Sequence, residues 1–319
     1  ALIEKSVKFK KLGLVVIDEQ HKFGVAQRAK LWSKKEKYYP HVLVMTATPI
    51  PRTLALTLYG DLDVSVIDEL PKGRKKIITS HRNDNSRLKV LNFIKQTVES
   101  GSQVYIVYPL IEESAKKDHK DLMDGYDSLK RYFPNLQVGV LHGRMKSENK
   151  DYEMRRFQEG KSKVLVSTTV VEVGVDVPNA SVIIIESAER FGLSQLHQLR
   201  GRVGRGEKQS YCILMTKYDL SKESKERIKA MVDSSDGFKI ANTDLKLRGP
   251  GNMMGTKQSG LLELRFTNLA EDYESIKNTR ELAKELIKKD PELKNSKNEK
   301  IKKHLKSSIK SNINWSRIS

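Results

Sequence analysis

Leu88-Lys89-Val90-Leu91-Asn92-Phe93-Ile94-Lys95-Gln96-Thr97-Val98-Glu99-Ser100-Gly101-Ser102-Gln103-Val104-Tyr105-Ile106-Val107 holds two periodicities in one stretch. Leu88, Leu91, Ile94 and Val98 recur three and four residues apart, the spacing of one helix face, and Gly101 follows as a C-terminal stop. Val104-Tyr105-Ile106-Val107 is apolar without polar alternation, as a strand covered on both faces is. A helix leading into such a strand is the repeating unit of a parallel α/β sheet.

Working outward, comparable apolar runs fall at 12–17, 42–45, 64–67, 77–80, 138–141, 164–167, 182–185 and 211–215. Helical spacing lies between several of them; Tyr152, Arg156 and Phe157 sit on one such segment, closed by Gly160. The expected fold class is α/β, a parallel sheet with helices on both faces. Glu69-Leu70-Pro71-Lys72-Gly73-Arg74 breaks the pattern and reads as a linker. It separates a short first unit, 1–73, with three strands, from a second, 74–218, with five or six strands and able to fold alone. A third region, 219–319, differs in character. It opens with a helix at 221–232 carrying Ile228, Met231 and Val232 on one face. A glycine-rich stretch follows at 237–260, then a helix at 273–289 halted before Pro291. From 290 to 319 there are eight Lys or Arg against three Asp or Glu, which reads as a basic, partly frayed helix, either a solvated end or a DNA contact.

The chain has 319 residues, enough for two ordinary domains, and 38% hydrophobic against 31% charged residues excludes wholesale disorder. Lys and Arg number 59 against 40 Asp and Glu, a formal charge of +19. That surplus points to a polyanionic partner, nucleic acid before membrane, with a solvated Lys-rich surface as the alternative. A single cysteine, Cys212, rules out an internal disulfide framework and a zinc ribbon. No apolar run is long enough to span a bilayer, and no signal peptide opens the chain, so a cytoplasmic location is expected. The first residue is Ala1 rather than Met, which suggests a piece of a longer protein.

The run 12–17 ends in Asp18-Glu19-Gln20-His21. Carboxylates at the carboxyl end of a parallel strand stand where ligands gather; one can hold Mg²⁺ through water while its neighbour orients an attacking water toward a γ-phosphate. Two acids opening a helix also give Asp-Glu, but the Gln-His that follows favours the chemical reading. Met45-Thr46-Ala47-Thr48-Pro49 ends the next run, and the hydroxyls of Thr46 and Thr48 can hydrogen-bond the same acidic cluster. Thr and Pro also commonly begin helices.

Gln198-Leu199-Arg200-Gly201-Arg202-Val203-Gly204-Arg205-Gly206 is the sharpest signal. Its glycines let backbone approach closely, and Arg202 and Arg205, three apart, aim the same way from a helical turn. Guanidinium forks suit the spread charge of a phosphoryl group in transfer; an Arg-Gly loop on a nucleic acid backbone is the plainer alternative. Between these motifs, the stretch from Ser167 through Thr168, Gly174 and Asp176 to Pro178 reads as a hinge between nucleotide and nucleic acid contacts. Leu141-His142-Gly143-Arg144 ends a strand with a basic turn suited to a phosphate. Each of these last two also fits a simple turn. Gly160-Lys161-Ser162 imitates the end of a P-loop, but Arg155 holds the first glycine position, and a helix precedes where a strand is required. No other P-loop occurs in the chain.

Together, and in this order, the motifs resemble those of superfamily 2 helicases. Asp18-Glu19-Gln20-His21 looks like motif II, Thr46-Ala47-Thr48 like motif III, 167–176 like motif V and 198–205 like motif VI. Gly237-Phe238-Lys239-Ile240-Ala241, Asp244-Leu245-Lys246-Leu247-Arg248-Gly249-Pro250-Gly251 and Gly255-Thr256-Lys257-Gln258-Ser259-Gly260 look like the translocation motif shared by the RecG branch-migration helicases and the transcription-repair coupling factors. Leu-Arg-Gly-Pro-Gly and Gly-Thr-Lys-Gln-Ser-Gly favour the RecG family. The resemblance runs through nearly the whole chain.

It implies RecA-like lobes, a partial first and a complete second, followed by a helical translocation region, with ATP and Mg²⁺ between the lobes. Asp18 would bind Mg²⁺ and Glu19 would activate water. Gln20, His21, Thr46 and Thr48 would link nucleotide to lobe movement. Gln198, Arg202 and Arg205 would reach across from the second lobe, with Gly174 and Asp176 also on the nucleotide. Arg205 would be the arginine finger, a group that contributes roughly 10³ to 10⁵ in rate in phosphoryl transfer. Thr168, His142 and Arg144 would serve DNA contact and coupling, and Arg248 and Gln258 would convert lobe closure into movement along duplex DNA. The family's P-loop, earlier DNA-contact motifs and wedge domain are not in the sequence, so the chain alone is expected to show little ATPase or unwinding activity. The expected whole is an ATP-dependent helicase acting on branched duplex DNA, a monomer with no membrane partner. A transcription-repair coupling translocase, an RNA helicase and a non-enzymatic DNA-binding derivative are the alternatives.

Overall fold

The computed structural model describes residues 4, 7, 9–19, 40–47, 63–67, 69, 71, 73–110, 115–168, 176–248 and 272–311, the side chains of 115–118, 248 and 308–311 excepted. The chain divides into two compact units, 67–247 and 1–66 with 248–319.

In the first unit, β1 (Leu14–Ile17) and β2 (His41–Val44) pair in parallel, Leu14 opposite His41 through Ile17 opposite Val44. Val15 and Ile17 are buried, whereas Leu14, Val16 and Leu43 on the other side are exposed. The apolar run 64–67 forms no strand, and Val64, Val66 and Ile67 are exposed. It has no neighbouring ladder among the described residues to satisfy its backbone, which an apolar run needs before it becomes a strand. The same unit holds α7 (Tyr273–Lys289) and α8 (Glu299–Ser311), in agreement with the helical spacing and the basic tail.

The unit 67–247 is built on six parallel strands: β3 (Ile78–Asn83), β4 (Gln103–Tyr108), β5 (Val138–Leu141), β6 (Val164–Thr168), β7 (Ala180–Ile185) and β8 (Tyr211–Thr216). Their order is β3-β8-β7-β4-β6-β5. The chain leaves β4 toward β5 and β6 on one side, then crosses back to lay β7 and β8 on the other. The helices are α1 (Arg87–Glu99), α2 (Ala115–Tyr132), α3 (Ser147–Gln158), α4 (Leu193–Arg200), α5 (Lys222–Asp233) and α6 (Gly237–Arg248).

Successive residues of a strand point to opposite faces, and here both faces are dry. Val104, Ile106, Val164, Val166, Val182 and Ile184 meet Val90 and Ile94 of α1 and Leu122 and Leu129 of α2. On the other face Tyr105, Leu165, Ile183, Ile185 and Leu214 meet Phe157 of α3, Leu193 and Leu196 of α4, Met231 of α5 and Ile240 of α6. Strands walled on both sides have no polar alternation to show, which is why their sequences read as continuous apolar runs. The exception is β3, Ile-Thr-Ser-His-Arg-Asn, whose polar composition suits an edge.

Helices α5 and α6 share this core, although the sequence division fell ahead of them at 218/219. Residues 237–248, expected within a glycine-rich stretch, are helical. Ile240, Ala241, Asp244 and Leu245 lie on its buried side, and the Ser194 hydroxyl of α4 donates to Asp244 Oδ2 at 3.4 Å. Cys212 is buried at the sheet, where burial pushes its thiol up to about 12 and leaves it unreactive.

Candidate nucleotide and nucleic acid sites

In the first unit, β1 delivers Asp18 and Glu19 at its carboxyl end. The Glu19 amide donates to Asp18 Oδ1 at 2.8 Å, and Glu19 has φ +50. A non-glycine residue held in the left-handed region stores roughly 1–3 kcal/mol of strain, and such residues cluster at functional sites. The Ala47 amide donates to Glu19 Oε2 over a long 3.5 Å. Met45 N donates to Ile17 O at 2.7 Å, so strand pairing itself brings the two motifs together. A backbone amide of the Thr-Ala-Thr segment thus reaches the acids. Asp18 is exposed and Glu19 half-buried. Two adjacent carboxylates of this kind supply hard oxygen donors for Mg²⁺ shared with phosphate and water. No group of three or more His, Cys, Asp or Glu stands ready to hold a metal among the described residues.

In the second unit, α4 starts beyond the carboxyl end of β7 and runs back across the sheet. Leu193, Leu196, Leu199 and Arg200 are its buried residues, with Val203 just beyond. Arg200, 3% exposed, takes a core position. Its Nη1 donates to Met231 O at 3.0 Å and Ser234 O at 2.8 Å, and its Nη2 contacts His197 Nδ1 at 3.0 Å. Arg200 thus fastens α4 to α5 and is structural, a role the sequence reading missed. Its signal was legible: 193, 196, 200 and 203 are one helical stripe.

Beyond α4 the chain reaches the sheet edge where strands begin. Arg74 Nε donates to Gly204 O at 2.8 Å, and Lys208 Nζ donates to Ser102 Oγ at 3.2 Å. Gly204 has φ +78, and a Cβ there would lie 2.8 Å from Ile77 Cγ1; a Cβ on Gly206 would lie 2.6 Å from Pro178 O. Both glycines therefore allow close approach of the protein to itself. Between them Arg205 pairs with Asp176, Nη1 to Oδ1 at 3.5 Å. Burial pushes the nearby Tyr105 phenol up, with Arg202 and Arg205 pulling the other way. Arg202 and Gln198 are half-buried. The arginines and Asp176 are thus assembled at the amino edge of the sheet.

Thr168 and His142 lie at the opposite, carboxyl edge, where β6 and β5 end. The Ser167 and Thr168 hydroxyls are buried with no hydrogen-bond partner among the described residues. Arg144 is exposed in the turn after β5. Further along this edge, β4 and β7 adjoin where the strand order reverses, the usual place for a crevice. A cavity of about 200 Å³ there is lined by Asp84, Arg87, Tyr108, Asp121, Glu186 and Thr216. Arg87 Nη2 donates to Glu186 Oε2 at 3.0 Å, and a second, shorter bond joins Arg87 Nη1 to Glu186 Oε1. Gln20, His21, Thr48, Gly174 and Gln258 lie outside the described residues, as does the Arg248 side chain. No helix among the described residues is long and apolar enough to cross a membrane.

Residues 85–207 match the family described as helicase conserved C-terminal domain, and residues 234–319 match ATP-dependent DNA helicase RecG, domain 3, C-terminal. The chain is 54% identical over 303 residues to an ATP-dependent DNA helicase RecG of Synechocystis sp., covering 95% of this chain and 36% of that protein. With RecG of Bacillus subtilis it shares 50% over 291 residues, 91% of this chain and 42% of that one. A solved structure of RecG bound to a three-way DNA junction superposes with TM-score 0.63 at 47% identity, covering 79% of this chain and 32% of that one. Fold and matches together define a class: the six-stranded unit is the C-terminal, RecA-like lobe of a superfamily 2 helicase. The chain belongs to the RecG family. It spans about two-fifths of the length of the curated relatives it matches, 36% to 43%, over their C-terminal portion.

Proposed function

We propose that this chain is the motor and translocation portion of an ATP-driven translocase that works on branched duplex DNA in the cytoplasm, regressing forks and migrating Holliday junctions. The observation that carries the reading is the placement of Arg205. A helix fastened by a buried arginine delivers it to one sheet edge beside Asp176, while the basic turn at His142 and Arg144 lies at the other edge. One edge offers guanidiniums to a triphosphate and the other offers cations to a nucleic acid backbone. The relative solved on a three-way junction supports branched DNA as the partner.

On this reading Asp18 would hold Mg²⁺, and Glu19, braced by the Ala47 amide, would orient the attacking water. Arg202 and Arg205 meet the charge that spreads over the transferred phosphoryl group, as planar guanidiniums do well. Gln20, His21, Gly174, Asp176 and Gln198 complete the nucleotide contacts. Thr46, Thr48, Thr168, Arg248 and Gln258 couple them to DNA. The nucleotide, when bound, supplies the free energy of its terminal phosphate bond. The Arg205–Asp176 pair must open for the guanidinium to turn to phosphate, a small cost for a pair so exposed.

The test is Arg205→Ala in a protein joining this chain to a P-loop lobe. ATP turnover on branched DNA should fall by about 10³-fold or more while DNA binding survives. Turnover within a few-fold of the parent would remove Arg205 from the chemistry. The 319-residue chain assayed by itself, having no P-loop, should show little hydrolysis.

A further inference from the structure

The turn after β5 gathers basic groups from three elements. The rings of His142, in the turn, and His119, from α2, lie with centroids 4.6 Å apart at 57°. Lys150 of α3 donates from Nζ to Gly143 O at 3.0 Å, which holds its charge over the turn. The turn is itself fixed, with Met145 N donating to His142 O at 3.1 Å and His142 N donating to Met145 Sδ at 3.4 Å. His142 Nδ1 is buried without a hydrogen-bond partner among the described residues.

Burial first, then His119 from α2, Arg144 from the turn and Lys150 from α3, hold the His142 imidazole below its usual range. Among the described residues, the charges that act on it most are basic. An anion entering among these groups favours the protonated ring.

We propose that this turn is a proton-linked phosphate site, in which one backbone phosphate of bound DNA docks among His119, His142, Arg144 and Lys150 and draws a proton onto His142. The inference rests on the DNA-binding reading above and adds to it two residues, His119 and Lys150, and a pH dependence. The sign follows from linkage: a ring neutral in the free protein and charged in the complex makes binding tighter as pH falls.

The experiment is calorimetric titration of the 319-residue chain with a short duplex at fixed ionic strength, in buffers of differing ionisation enthalpy, from pH 8 to pH 6. Net proton uptake is expected, with affinity rising about tenfold over that range. His142→Gln should abolish the uptake. His119→Gln removes a neighbour that disfavours charge on His142 and should move the uptake to higher pH, an effect that mere loss of packing would not produce. Binding without uptake, or unchanged uptake in His142→Gln, overturns the proton-linked site and leaves the DNA reading standing. No binding at any pH sinks both. Uptake with inorganic phosphate but not with duplex would assign the turn to free phosphate and overturn DNA docking there.

Discussion

Arg200 and His197 show how one residue's surroundings set its chemistry. Arg200 is buried and donates to the carbonyls of Met231 and Ser234 at the end of α5, and His197 Nδ1 accepts from it. Burial, and then the Arg200 charge, hold the His197 imidazole down to about 4. The unfolded chain has no such burden and titrates near 6.5. Between those values the unfolded state binds a proton that the folded state does not, so stability falls as pH drops through that window. Between pH 7 and pH 5 the chain should lose about 2 kcal/mol, read from urea midpoints. His197→Gln should remove most of that slope; a slope equal to the parent's would show that His197 is not its source.

At the scale of elements, α1 is tied to the sheet by one ion pair. The Glu186 side chain at the end of β7 is 8% exposed, and its carboxylate is met by Arg87 from the first turn of α1. Removing Arg87, itself 42% exposed, leaves the buried Glu186 carboxylate unpaired, which costs more than the pair itself is worth. Arg87→Ala should therefore destabilise the lobe by about 1–2 kcal/mol, between the values for exposed and buried pairs, and adding Glu186→Ala should restore part of the loss. Strictly additive effects in that double-mutant cycle would show that the two side chains are not coupled. Elements were unevenly legible. Strands β4, β6 and β7 announced themselves because both their faces are apolar. Helix α6 was hidden because glycines at 237 and 249 drew attention away from Ile240, Ala241, Asp244 and Leu245. The run 64–67 misled, since an apolar sequence carries no information about whether a ladder awaits it.

For the whole molecule, the formal charge of +19 predicts how DNA binding should respond to salt. Each phosphate neutralised lowers log affinity by about 0.9 per tenfold rise in salt on duplex DNA, and sequence-independent binding lies on the order of 10⁻⁴ to 10⁻⁶ M. Anisotropy titrations should show affinity falling by roughly a hundredfold between 50 and 200 mM salt, equivalent to about four phosphates. A flat profile would mean that the surplus Lys and Arg are only a solvated surface.

The sequence by itself determined the alternation of helix and strand, the doubly covered sheet and the order of the motifs, because periodicity and residue type are local properties of a chain. It also marked Asp18, Glu19, Arg202 and Arg205, since few other tasks bring those residue types together at those spacings. Only the tertiary structure decided that Arg202, Arg205 and Asp176 gather at the amino edge of the sheet. Helix α4 crosses the sheet and carries Arg205 to the edge opposite His142, a separation made by topology. Likewise only folding set His119 against His142, from elements with no regular spacing between them, because burial and charge act through space and not along the chain.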